Sequence, residues 1–193
     1  MGHPEAEKLY DSLMANGYGD VADKIALDKL SLHADVEQRE RWLHSALMEI
    51  ERSMDEDMVR KIRKGCVCAL KRETRIPGYK EIYDRTKVRK DQYRKLYMAS
   101  SSLEEFVDKV KKLEDEPGKP SIELINGKIY KYYYFCPCPF LKDSSAVVPK
   151  SWCYCTLGYN EDLFSYTFNR DIHGNLLGAI KMGDSRCIIE IEV

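Results

Sequence analysis

Sulfur is the conspicuous chemistry of this sequence. Six of the seven cysteines fall in three Cys-x-Cys pairs, Cys66/Cys68, Cys136/Cys138 and Cys153/Cys155, and the seventh is Cys187. Scattered core thiols do not give that spacing. A soft cation such as Zn²⁺ takes thiolates, and a structural zinc site is usually closed by four ligands. In an extended chain the two side chains of Cys-x-Cys leave on the same side. They are too far apart on a flat strand to grip one ion, so the backbone must bend. Pro137 and Pro139 supply a bend with φ fixed beforehand. Cys153 and Cys155 precede a helix expected around Tyr159–Phe168, where amide donors would favour thiolate. Brought together with Cys187, the two pairs suit Zn²⁺ or an iron–sulfur cluster. The candidate metal ligands are Cys136, Cys138, Cys153, Cys155 and Cys187. The role of Cys66 and Cys68 stays open, because cysteines beyond a helix end also serve as small buried hydrophobes.

Other chemistry is thin. The sequence has no Gly-x-Gly-x-x-Gly, P-loop, His-Glu-x-x-His or Gly-x-Ser-x-Gly. None of His3, His33, His44 and His173 neighbours a cysteine in sequence. A cysteine nucleophile would need a base within reach. His173 and Asp184 are the nearby candidates, and Asp184 also reads as an ordinary turn residue. The tyrosines at 130, 132, 133, 134, 154, 159 and 166 suit either the lining of a ligand pocket or plain strand and core packing.

The elements that must position the thiols are legible in outline. Ala6, Leu9, Tyr10, Leu13 and Met14 recur at helical spacing, with Pro4 in the first turn and Asn16-Gly17 as a stop. Asp35 and Gln38 form a capping box ahead of a stripe of Val36, Leu43, Ala46, Leu47 and Ile50, with Trp42 at its edge. Met58, Val59 and Ile62 continue a helix to Gly65, expected as a positive-φ C-cap. Ile76-Pro77-Gly78 reads as a turn. Ser101 with Glu104 predicts a cap for the helix of Leu103, Phe106, Val107, Val110 and Leu113. The period changes after Glu116-Pro-Gly-Lys-Pro120. Ile122–Ile125, Asn126-Gly127 and Lys128–Phe135 predict a hairpin with a type I′ turn. Leu176–Met182 and Cys187–Val193 read as final strands. The expected fold is α+β: a helical N-terminal half, residues 1–117, packed on a small antiparallel sheet with one helix in a cysteine-rich region, residues 118–193.

Composition narrows the class. At 193 residues, with 44% apolar and 33% charged types, the chain suits an ordinary folded domain. No apolar run nears a membrane span, and the first residues show no export signal. A cytoplasmic setting is expected, which disfavours a disulfide framework. From Val59 to Lys95 there are 14 Lys and Arg against 4 Asp and Glu. Such a block suits nucleic acid, but no nucleic-acid motif accompanies it, so a solvated face or one paired with the acidic remainder is the expected use.

The stretch Trp152-Cys-Tyr-Cys-Thr-Leu-Gly-Tyr159, followed by Leu163-Phe164, Phe168 and Gly183-Asp184-x-x-Cys187-Ile-Ile-Glu-Ile191, resembles the 4-vinyl-reductase domain. That resemblance implies an α/β fold with a pocket for a small hydrophobic molecule. Sensor members hold zinc with a Cys before the helix, a Glu-x-x-Cys on the penultimate strand and the Cys of Gly-Asp-x-x-Cys. Cys153 or Cys155 matches the first and Cys187 the last. Leu176 and Ala179 stand where the middle pair would be and cannot ligate. Either that site is lost, or Cys136 and Cys138 replace the missing two. The whole chain resembles more closely the DUF6144 type of bacterial and archaeal proteins, with a helical first half, two Cys-x-Cys pairs and Gly-Asp-x-x-Cys at the end. The expected function is a zinc-binding module that binds or senses a small hydrophobic molecule. An enzyme is the alternative, either a cysteine- or zinc-dependent hydrolase or an iron–sulfur reductase. A regulator using the basic block on nucleic acid is a third reading. A homodimer is an expected assembly; a membrane partner is not.

Overall fold

The computed structural model describes residues 2–67 and 77–193, so Cys68 and the basic residues of 71–76 lie outside the described residues. The fold is α+β, with seven α-helices and one four-stranded antiparallel sheet among the described residues. The helices are α1 (Pro4–Ala15), α2 (Gly19–Leu27), α3 (Val36–Ser53), α4 (Glu56–Lys64), α5 (Pro77–Met98), α6 (Leu103–Glu114) and α7 (Lys150–Phe168). The strands are β1 (Ile122–Ile125), β2 (Lys128–Tyr133), β3 (His173–Gly178) and β4 (Cys187–Glu192), in the order β1-β2-β4-β3.

Local chemistry explains most boundaries. The imidazole Nδ1 of His3 accepts from the Glu5 N–H at 3.2 Å and caps α1, while Pro4 takes the first helical position, where no N–H is needed. Asp35 and Gln38 form the expected capping box on α3. The cap of α6 falls one residue later than expected: Ser102 accepts from Glu105 N–H, and Glu105 reaches back to Ser101. Gly65 ends α4 at φ −70°, not in the left-handed region. Pro77 and Gly78 open α5 and do not make a free-standing turn. Asn126 and Gly127, at φ 51° and 78°, make the hairpin turn between β1 and β2.

The sheet turns one face to the helices. Ile122, Ile129, Lys131, Tyr133, Ile189 and Ile191 are buried on it, and cross-strand partners such as Ile129↔Ile191 and Lys131↔Ile189 keep them in register. The penultimate strand, expected at Leu176–Met182, lies three residues earlier, at His173–Gly178. A bulge interrupts β3 between Leu176 and Gly178, and Ile180–Met182 is a 3₁₀ turn. Glu190 is buried on the outer face by Tyr130, Asn175 and Lys128, each of which contacts its carboxylate.

Helix α7 is the hub. It packs on α4 and α5 on one side and on β3 and β4 on the other, and one buried cluster runs from Leu9 to Ile191 through it. Twelve of its 19 residues are buried, so its exposed side around Asp162 and Tyr166 is narrow. The close approach of α4 needs Gly158, where a Cβ would stand 2.4 Å from the Lys64 carbonyl oxygen.

Candidate thiol-lined site

Three segments bring cysteines to one small cavity. Its wall includes Cys136 and Cys138 from the loop after β2, Cys153 and Cys155 from α7, and Cys187 at the start of β4. The topology explains the meeting. Tyr133 pairs with Cys187 across the β2–β4 ladder, so the loop that follows Tyr133 turns over the end of β4. Pro137 and Pro139 bend that loop, and the Cys138 carbonyl accepts from Leu141 and Lys142 N–H at 3.2 and 2.9 Å. The cavity leaves about 10 Å³ of free space, roughly the room one water needs.

The helix pair differs from its expectation. Cys153 and Cys155 lie inside the first turns of α7, which starts at Lys150 and not near Tyr159. Burial pushes the Cys153 thiol far up, and neighbouring Cys155, Cys187 and Cys136 add to the effect. The helix start therefore does not lower its pKa. Burial also raises Cys136, and it pushes Cys187 up to about 11. Backbone groups oppose this at two positions: the Cys138 backbone hydrogen-bonds the Cys136 thiol, and the Ile180 backbone hydrogen-bonds Cys187. Amide donors to sulfur favour its anionic form. Among the described residues, no group of three or more His, Cys, Asp or Glu side chains stands in an arrangement that could hold a metal ion. Residues two apart on a helix point about 200° from one another, so Cys153 and Cys155 do not converge on one point.

Two cations flank the thiols. Lys181 borders the cavity and donates to the Ser144 carbonyl. Arg63 is fully buried. Its guanidinium lies 3.7 Å from the ring centroid of Trp152, which walls the cavity, and Nη2 donates to the Trp152 carbonyl at 3.0 Å. Its Nε and Nη1 are buried without a hydrogen-bond partner. The sequence signal for this residue was its spacing, since Arg63 falls four residues after buried Val59 on the inner stripe of α4.

A second, larger cavity of about 200 Å³ lies against the first. Pro137, Cys138, Cys155 and Thr156 border both. Tyr133, Tyr159, Phe135 and Ile82 give it apolar walls, and Arg85, Thr86 and Arg89 of α5 give it polar ones.

Other singled-out residues fall elsewhere. Cys66 is fully buried, with Sγ 3.4 Å from the Ile62 carbonyl oxygen, and packs between α4 and α1. His173 is exposed at the start of β3. Asp184 accepts from Ala179 N–H at 2.8 Å, as a turn residue does. The described part of the basic block is largely paired within the chain. Lys64 meets Glu161, Arg89 meets Glu114, Lys90 meets Asp162, and Arg60 donates to the Gly174 carbonyl.

The chain matches the model of a family of unknown function, DUF6144, over residues 4–193, and it belongs to that family. No curated protein matches it. Among solved structures it is similar to a mutant H-NOX protein from S. oneidensis in the Fe(II) ligation state, at 18% identity and a TM-score of 0.44, covering 100% of this chain and 95% of that one. A likeness of that degree fixes neither fold nor ligand. No helix among the described residues is long and apolar enough to cross a membrane.

Proposed function

We propose that this protein is a metal-dependent small-molecule-binding or sensing module. The ion is zinc, held by thiols drawn from Cys136, Cys138, Cys153, Cys155 and Cys187. One observation carries the reading: five cysteines from three distant segments border a single cavity of about 10 Å³. The donor set fits a soft cation. The backbone donors on Cys136 and Cys187 suit bound thiolates, and so does the buried Arg63, whose Nε and Nη1 make no hydrogen bond and whose charge lies beside Cys155 and Cys138 as well as Glu5. Cys136, Cys138 and Cys187 supply three of the ligands, and one of the diverging pair Cys153 and Cys155 supplies the fourth. Ligation displaces thiol protons and turns side chains inward, so binding orders the loop after β2. That loop also walls the outer cavity, where the small molecule sits. The resemblance of residues 152–191 to the 4-vinyl-reductase domain agrees with this division of labour.

The test is metal analysis of anaerobically purified protein beside Cys136→Ser, Cys187→Ser, Cys153→Ser and Cys155→Ser. The reading expects one zinc per chain. Cys136→Ser and Cys187→Ser lose it, and so does one of the two helix variants. A brown protein with visible absorbance would exchange zinc for an iron–sulfur cluster. A metal-free wild-type chain that takes up no added zinc would overturn the proposal.

A further inference from the structure

The outer cavity carries information about what it holds. Its apolar part is formed by Ile82, Tyr133 and Phe135, and its polar part by Arg85, Thr86 and Arg89, all on α5. No Asp or Glu is found among its described lining residues. The two arginines are unequal. Arg89 is committed to Glu114, with Nε 3.0 Å from a carboxylate oxygen. Arg85 makes only a 3.4 Å bond from Nε to the Glu81 carbonyl, one turn back on its own helix. The acid nearest in sequence, Asp84, is engaged by Lys80. Among the described residues neither terminal nitrogen of Arg85 has a hydrogen-bond partner, and the charged groups lining the cavity are Arg85 and Arg89. The buried Thr86 adds a hydroxyl beside it.

From this we infer that the ligand is a small monocarboxylic acid with an aromatic or short aliphatic body. Its carboxylate pairs with Arg85 and its body lies on Ile82, Tyr133 and Phe135 towards the wall shared with Cys138 and Cys155. A planar guanidinium matches a carboxylate through two parallel N–H···O bonds. One uncommitted arginine matches a single carboxylate, since Arg89 is already held by Glu114. This inference rests on the outer cavity being the ligand site and is independent of which metal fills the inner one.

The experiment is calorimetric titration of the full chain with benzoate, phenylacetate and octanoate, each beside its neutral alcohol (benzyl alcohol, 2-phenylethanol and 1-octanol). At least one acid should bind about tenfold tighter than its alcohol, the value of a charge-assisted pair in a partly desolvated site. Arg85→Gln should erase that preference without lowering the melting temperature, because Arg85 is exposed and pairs with no acid among the described residues. Alcohols that bind as tightly as the acids, or an acid preference that survives Arg85→Gln, would overturn the carboxylate inference and leave the ligand cavity standing. Binding of neither acids nor alcohols would overturn both.

Discussion

Two buried cations divide this protein into a finished region and an unfinished one. Lys131 sits on the inner face of the sheet at 2% exposure with a mostly buried carboxylate beside it. It meets Glu114, which also accepts from Tyr93 at 3.0 Å and pairs with Arg89. Arg63 sits under the thiols at 0% exposure with two of its donor groups bare. A buried charge is tolerable when paired and hydrogen-bonded, and costly otherwise. The first network ties α5, α6 and β2 together. The second leaves positive charge beside Cys66, Cys155, Glu5 and Cys138, where the Glu5 carboxylate supplies nearby negative charge and bound thiolates would add to it.

The largest expected effect tests the finished side. Glu114→Ala strands Lys131 and Arg89 together without an acid, and should cost about 3–5 kcal/mol by urea unfolding. Lys131 and Arg89 hold the Glu114 carboxyl below its usual range against the opposing effect of burial. Its stability contribution is therefore full above the ordinary carboxylate pKa and is lost as pH falls towards the folded value. A mild effect of Glu114→Ala would remove the contrast between the two regions.

Arg63→Met should behave differently. In metal-free protein it gives up one hydrogen bond and a ring contact but also two unpartnered donors, so the loss should be about 1 kcal/mol. In the metal-loaded protein, zinc affinity should drop about tenfold, the scale of a lost supporting contact to a metal site. Competition with a chromophoric chelator measures the second effect. Equal losses with and without metal would make Arg63 another structural cation.

A pH-dependent effect concerns His3, which packs edge-on against Phe140 at 4.9 Å. Burial lowers its pKa to about 4. The folded state resists a proton that the unfolded chain accepts near pH 6.5, so stability should decline as pH falls from about 6.5 towards 4. His3→Gln should flatten the upper part of that slope, above the range in which carboxylates titrate. An unchanged slope would show that the imidazole is not held neutral.

The same contrast explains what the sequence discloses. The Asn126-Gly127 turn, the alternation of β2 and β4 and the prolines around Cys136 and Cys138 are local signals, and they lead to the β2–β4 ladder that sets Cys187 below the loop. Helix α7 hides its start because Pro149 offers no side-chain cap. Burial of twelve of its 19 residues also blurs the amphipathic pattern that would mark a helix. Cys153 and Cys155 therefore read as loop residues. Arg63 and Arg85 are two among many cations in a basic block; spacing after Val59 turns Arg63 inward, but tertiary structure alone sets Arg85 at a cavity. Lys131 shows its place only through alternation, between Ile129 and Tyr133.

The central claim is that thiols from these three segments bind one ion. Anaerobic titration of the reduced full chain with Co²⁺ reads it directly. The account predicts intense sulfur-to-cobalt charge transfer with tetrahedral visible bands, saturating at one equivalent and lost in Cys136→Ser and Cys187→Ser. A spectrum that stays that of hydrated cobalt throughout would contradict it.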